Sequence, residues 1–220
     1  MLNTRRFKLL VFDWDGTLMD STAIIASCIQ ASAADLGLPV PDHVRASHVI
    51  GLGLKDALSY AVPELAEADY GRMSERYRFH FLKHGANVPL FPGTVEMLTE
   101  LSRRGHLLGI ATGKSTAGLE RSLEATGIKS FFAATRCADR CSPKPAPDML
   151  HELMDEFGVH RASTLMIGDT SHDLQMAANA GVASLAVCHG AHAREKLTPH
   201  NPLACMDNTA QLDEWLKSNA

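Results

Sequence analysis

The sequence predicts an α/β fold, a doubly wound parallel sheet that carries an all-helical insertion. Three observations carry that expectation. Short apolar runs alternate with amphipathic helical segments through most of the chain. Each run breaks off into polar or glycine-rich residues. Between residues 21 and 90 the rhythm stops and no strand-like run occurs. Continuous apolar runs of this length suit strands buried on both faces, and strand–helix alternation implies parallel pairing.

The elements follow in order. Residues 7–12 (F-K-L-L-V-F) read as the first strand. Asp20-Ser21 then opens a helix as an N-cap, because Ile24, Ile25, Cys28, Ile29 and Leu36 recur at helical spacing. Residues 64–84 also read as helix, with many exposed charges. Pro89 and the F-P-G at 91–93 punctuate a return to the core. Helix is expected at 95–104, 115–126, 146–157 and 171–180. Strand is expected at 107–111, 131–134, 164–167 and 182–187. This divides the chain into a Rossmann-like core, residues 1–19 and 91–220, and a helical cap, residues 20–90. Ligands of open α/β sheets sit at the carboxyl ends of the strands, so the cap would lie over the site as a lid.

Composition excludes several classes. The chain has 220 residues, 45% apolar and 21% charged, which gives room for a substantial core and excludes a disordered or low-complexity protein. Basic residues number 21 against 25 acidic, with no long like-charge run, so no nucleic-acid partner is expected. The apolar runs are too short to span a bilayer, and Asp13 ends the run after Arg5 and Arg6 before any cleavage-type site. Neither a membrane segment nor a signal peptide is expected. Cys28, Cys137, Cys141, Cys188 and Cys205 have neither zinc nor disulfide spacing, which points to reduced thiols in a cytoplasmic protein. The 11 histidines show no metal-ligand spacing; His189, His192 and His200 read as ordinary loop residues.

Four polar clusters close four strands. The first strand runs into D-W-D-G-T, which places Asp13 and Asp15 two residues apart, with Gly16 for a sharp turn and Thr17 beyond it. Paired acids at the end of an apolar strand make sense beside a hard cation, or where one acid stays protonated for acid–base work. The strand at 107–111 ends in T-G-K, where the Thr112 hydroxyl and the backbone around Gly113 and Lys114 offer donors to a phosphate oxygen. Lys144 stands between two prolines in S-P-K-P-A-P-D, a rigid loop suited to presenting an ammonium. The strand at 164–167 ends in G-D-T-S-H-D, with Asp169 at the sheet edge and Asp173 one turn later facing the same cleft. His172 points away from these two acids. Acids for a cation, then a hydroxyl and a lysine for an anion, describe Mg2+-dependent handling of a phosphate ester.

The ordered set D-W-D-G-T, A-T-G-K, K-P-A-P-D and G-D-T-S-H-D resembles the haloacid dehalogenase superfamily of phosphohydrolases, from Phe7 to about Val187. The helical insertion is similar to that family's first cap type. The resemblance implies Asp13 as nucleophile, Asp15 as general acid/base, and Thr112 and Lys144 as holders of the transferring phosphoryl group. It implies Mg2+ held by Asp13, the Asp15 backbone carbonyl and Asp169, with Asp173 acting through water or orienting the metal shell. Thr17, Gly113 and Lys114 are candidate substrate contacts in the core. Dehalogenases and phosphonatases of the superfamily lack the second acid of the first motif, and Asp15 is present here. Similar sugar phosphomutases carry a His early in the first cap helix and an Arg after the cap's glycine loop; here those places hold Ile25 and Leu54. The segment G-L-G-L-K-D-A-L at 51–58 is most similar to the phosphoglycolate phosphatase branch. Arg45, His48 and Lys55 flank it and are candidates to meet a substrate carboxylate. The expected partner is a small phosphate ester; a sugar phosphate, a nucleotide or pyrophosphate, or a phosphomutase activity, stands as the alternative. Oligomeric state is open.

Overall fold

A computed structural model describes residues 6–85 and 88–220. Six parallel strands form one sheet: β1 (Leu9–Phe12), β2 (Leu107–Thr112), β3 (Ala134–Cys137), β4 (Thr164–Gly168), β5 (Ala183–Val187) and β6 (Cys205–Met206), in the order β3-β2-β1-β4-β5-β6. β1 is central and pairs with β2 on one side and β4 on the other, Val11 opposite Gly109 and Met166. The chain therefore winds outward from β1 in both directions, and the crevice beside β1 opens at the carboxyl ends of the strands.

Both faces of the sheet are covered, as the unbroken apolar runs require. Along β1, Leu10 and Phe12 pack with Leu98, Leu119, Leu123 and Leu212 on one face. Leu9 and Val11 pack with Met149, Leu153 and Met176 on the other. The period of two along a strand sends alternate side chains to opposite cores, so a strand with two cores has no polar face. The covering helices are α5 (Thr94–Arg103), α6 (Thr116–Thr126), α7 (Asp148–Phe157), α8 (Ser171–Ala180) and α10 (Thr209–Asn219). A short helix, α9 (Arg194–Leu197), precedes β6.

The insertion carries four helices among its described residues: α1 (Thr22–Asp35), α2 (His43–His48), α3 (Leu54–Ala61) and α4 (Tyr70–His84). It owns a separate hydrophobic cluster built on Ile25, Ile29, Ile50, Leu58 and Met73. Two strands of backbone join it to the core and they are tied to each other. Asp20 N–H donates to the Pro89 carbonyl at 3.0 Å, and Phe91 N–H to the Leu18 carbonyl at 2.9 Å.

Three local expectations are corrected. The strand expected at 131–134 starts at Ala134, because Lys129–Phe131 winds as a 3-10 turn. The helix expected from residue 64 begins at Tyr70, after a 3-10 turn at Glu67–Asp69. Ser21 does stand before the first cap helix, but its side chain makes no cap hydrogen bond. The hydroxyl is drawn away to Asp15, as described below. Among the described residues no helix is long and apolar enough to cross a membrane, and the cysteines are free thiols.

Candidate active site

The four polar clusters converge at the carboxyl ends of β1, β2 and β4. Asp13 follows β1 and is fully buried. Lys144 Nζ lies 2.7 Å from Asp13 Oδ1 and 2.6 Å from Asp173 Oδ1, and both ion pairs are completely shielded from solvent. Neither Asp13 oxygen accepts a well-directed hydrogen bond. Asp169, at the end of β4, accepts from the Thr17 hydroxyl at 2.8 Å and from the Ala191 N–H at 2.7 Å. Asp173 closes a capping box on α8: its Oδ2 accepts from the Thr170 N–H and hydroxyl, while Oδ1 takes Lys144. Both Asp173 oxygens are thus committed to protein donors, whereas Asp13 Oδ2 faces the site without one.

Two glycines allow this crowding. A Cβ at Gly16, which has φ +84°, or at Gly190 would lie 2.2 Å from Asp169 Oδ2. Only a residue without a side chain lets backbone approach a buried carboxylate so closely.

Electrostatics follow from the burial. Desolvation drives the Asp13 carboxyl well above the ordinary carboxylate range; Lys144 pulls it down, and Asp173 and Asp169 push it up. Burial, with the repulsion of Asp173, brings Asp169 up to about 7 despite its two donors. For Lys144 burial opposes the charge, yet the facing Asp13 and Asp173 outweigh it and hold the ammonium above its ordinary value. One lysine therefore faces several acids whose ligand oxygens lie within 4.8 Å of one another. The set is oxygen-only, dry and short of positive charge. Those are the donors a hard divalent cation takes, and Mg2+ fits them. The orphaned Asp13 oxygen is the structural sign of that deficit.

Asp15 sits one turn outward at the mouth of a cleft. Lys114 Nζ donates to both of its oxygens, at 2.8 and 2.9 Å, and the Ser21 hydroxyl donates to Oδ1 at 2.6 Å. Lys114 also lies over the Phe81 ring of the cap, 4.8 Å from its centre. Thr112 is buried at the end of β2, and its hydroxyl accepts the Lys114 N–H at 3.2 Å. Gly113 touches the cap: a Cβ there would lie 2.3 Å from the Leu52 carbonyl oxygen and 2.6 Å from that of Gly51. The cap loop is thus seated on the core by backbone.

The structure separates the three cap candidates, and His48, like Arg45, does not line the cleft. Lys55 lines the cleft. Arg45 is turned outward, its Nε donating to the Tyr60 carbonyl at 3.1 Å, and it does not line the cleft.

Sequence reasoning missed a second contact between cap and core. His172 and His192 each place Nε2 3.0 Å from the backbone carbonyl of His48, and the Ser171 N–H donates to His192 Nδ1 at 3.0 Å. The rings of His48 and His192 stack 4.9 Å apart at 8°. Burial depresses His192 to about 4 and lowers His172, which keeps both imidazoles neutral. His192 is therefore no ordinary loop residue; it is 2% exposed and latches the lid. The three side chains could be taken for a metal cluster. An Nε2 that donates its N–H offers no lone pair to a cation, so the group works as a latch.

A buried aspartate at the end of the central strand, a lysine on a proline-bound loop, an acid pair after β4 and a helical insertion over them define a class. The chain belongs to the haloacid dehalogenase-like hydrolase family, whose model matches residues 10–187. It is 35% identical, over 93% of this chain and 91% of the relative, to the protein of Dickeya dadantii named "Probable phosphatase IndB". It is 30% identical to the phosphoglycolate phosphatase of Haemophilus influenzae, over 96% of this chain and 98% of that one. The solved structure of a "predicted phosphoglycolate phosphatase" from Haemophilus somnus 129pt superposes with a TM-score of 0.85 at 26% identity, covering 96% of this chain and 99% of that one. The chain is thus an enzyme of the hydrolase class, similar to phosphatases along nearly its whole length.

Proposed function

We propose that the protein is a Mg2+-dependent phosphomonoesterase that works through an aspartyl phosphate on Asp13. The observation that carries this reading is the buried Asp13 carboxylate, unpartnered at Oδ2 and faced by a fully buried Lys144. The cation would be held by Asp13, the Asp15 backbone carbonyl and Asp169, with Asp173 fixing the surrounding donors. When bound it offsets the repulsion between these acids and a phosphate dianion.

The chain's own groups perform the rest. Lys144 and the Thr112 region hold the transferring phosphoryl group, since phosphoryl transfer asks mostly for positioning and charge stabilisation. An Asp13 oxygen attacks phosphorus as the ester P–O bond breaks, and Asp15 gives its proton to the departing alkoxide. Asp15, now ionised, takes a proton from water. That water attacks phosphorus, the Asp13–phosphorus bond breaks, and inorganic phosphate leaves with Asp13 restored. Ser21 and Lys114 keep the Asp15 carboxylate at the cleft mouth, where the leaving oxygen and then water must pass. The cap excludes bulk water, which strengthens these charge interactions. The relatives' names favour a small phosphorylated metabolite of the phosphoglycolate type as substrate.

Asp13→Asn keeps the shape and removes the attacking charge. The variant should fold, bind Mg2+ more weakly and fail to turn over p-nitrophenyl phosphate. Rapid quench of the wild type with a labelled phosphate ester should trap a hydroxylamine-sensitive phosphoprotein. Full turnover by the folded variant overturns the reading.

A further inference from the structure

The leaving group has its own compartment. A cavity of about 300 Å³ starts at Asp15 and Lys114 and runs beneath the cap. Asp15 is the proposed proton donor to the leaving oxygen, so the alcohol portion of the ester must extend into this cavity, away from Asp13. Its volume equals that of about ten liquid waters, far more than a two-carbon hydroxy acid displaces.

The walls are of the wrong kind for a short acid. Ile25, Ile29, Leu54 and Leu82 line the cavity, with Tyr77 and Phe81 one turn apart on α4. The two rings lie 6.0 Å apart at 26°, presenting an aromatic wall. The cation deepest at the mouth, Lys114, is already paired with both oxygens of Asp15. The cavity's other cations, Lys55, Arg78 and Arg121, are exposed. A carboxylate there would lie largely among apolar side chains, with only solvent-exposed cations to pair with, which is costly. A flat ring on such a wall is stabilised by stacking and by burial of its faces.

We propose that the substrate is a phosphomonoester whose alcohol portion carries a ring stacked on the Tyr77–Phe81 wall, with nucleoside 5′-monophosphates as the metabolite class of that chemistry. This rests on the phosphomonoesterase reading above and departs from it in the substrate, putting a ring-bearing ester in place of the phosphoglycolate type that the relatives' names favour. The exposed cations at the rim raise the local concentration of phosphate dianions and guide them inward.

The test compares kcat/KM of the Mg2+-loaded enzyme for UMP, AMP and phosphoglycolate, in the wild type and in two variants. Leu54→Trp fills the cavity. Leu82→Ala trims its outer wall at a side chain that is 58% exposed, so folding does not depend on it. The wild type should prefer at least one nucleotide to phosphoglycolate by about tenfold or more. Leu54→Trp should lower nucleotide kcat/KM by about tenfold to a hundredfold, and Leu82→Ala should lower it in the same direction by less. Phosphoglycolate should change by less than about threefold in both variants. Phosphoglycolate turned over as well as either nucleotide, or equal losses on both substrate types in the soluble Leu82→Ala variant, overturns the proposal and leaves the phosphomonoesterase reading standing. No Mg2+-dependent phosphate release from any ester, p-nitrophenyl phosphate included, overturns both.

Discussion

Replacing Lys144 by Met would show what holds three buried acids in one place. The ammonium is 2.7 Å from Asp13 and 2.6 Å from Asp173, with all three side chains shielded from water. Met keeps much of the volume and removes the charge. The acids then face one another across less than 4.8 Å with no cation between them. Removing one partner of a buried ion pair costs about 3–5 kcal/mol. For a domain of this size that is a fall in Tm of roughly 6–20 °C. The pH dependence tells charge from packing. Without Lys144, which pulls both down, the Asp13 and Asp169 carboxyls rise further above their unfolded values, so the native state binds more protons than the unfolded state at neutral pH. Stability of the variant must then increase as pH falls toward about 5, and the gap to wild type must narrow. Urea unfolding of both proteins at about pH 8 and pH 5.5, with and without Mg2+, measures this. Mg2+ should recover part of the loss at the higher pH. A pH-independent loss, or one below about 1 kcal/mol, would refute the electrostatic account of the site.

Three further outcomes are expected. With Asp169 lifted to about 7, above its unfolded value, metal-free protein should lose stability as pH rises through 7. Protons should likewise weaken Mg2+ binding as pH falls through the same range, and calorimetric titration at several pH values checks both signs. Gly113→Ala should lower kcat/KM on the order of tenfold with an unaltered core, because its Cβ meets two cap carbonyls that cannot yield as a flexible side chain would; steady-state kinetics beside far-UV melting would expose an error. Lys55→Ala should change substrate discrimination, whereas Arg45→Ala should leave kcat/KM within about twofold, since Arg45 is spent on the Tyr60 carbonyl outside the cleft; a large loss at Arg45 would contradict that placement.

The sheet was legible because its strands are buried on both faces. β1, β2, β4 and β5 have no polar face to obscure them. β3 was misplaced by three residues because Ala134–Cys137 is only partly buried at the sheet edge and follows an apolar 3-10 turn that mimics a strand. β6, two residues long, leaves no periodic trace. The acids of the site were readable because paired carboxylates ending an apolar strand have no packing explanation. Ser21 was misread for the reverse reason. A serine before a helix is an ordinary cap, and only the fold shows Asp15 nearer to its hydroxyl. The latch could not be read at all, since His48 and His192 are 144 residues apart. Tyr77 and Phe81 did leave a signal, two aromatics four apart in a highly charged helix, which marks one face as something other than solvent-facing.

The latch grips the lid by its main chain. His172 and His192 address the carbonyl of position 48, a group that every amino acid supplies. Gly113 meets the lid in the same way, through the carbonyls of positions 51 and 52. These backbone contacts therefore do not depend on which side chains the lid displays. The inner surface of the lid can change its side chains while the same two imidazoles and one glycine go on meeting its main chain over the buried acids. In this architecture recognition and registration are separate parts: one is carried by side chains that can change, the other by backbone that cannot.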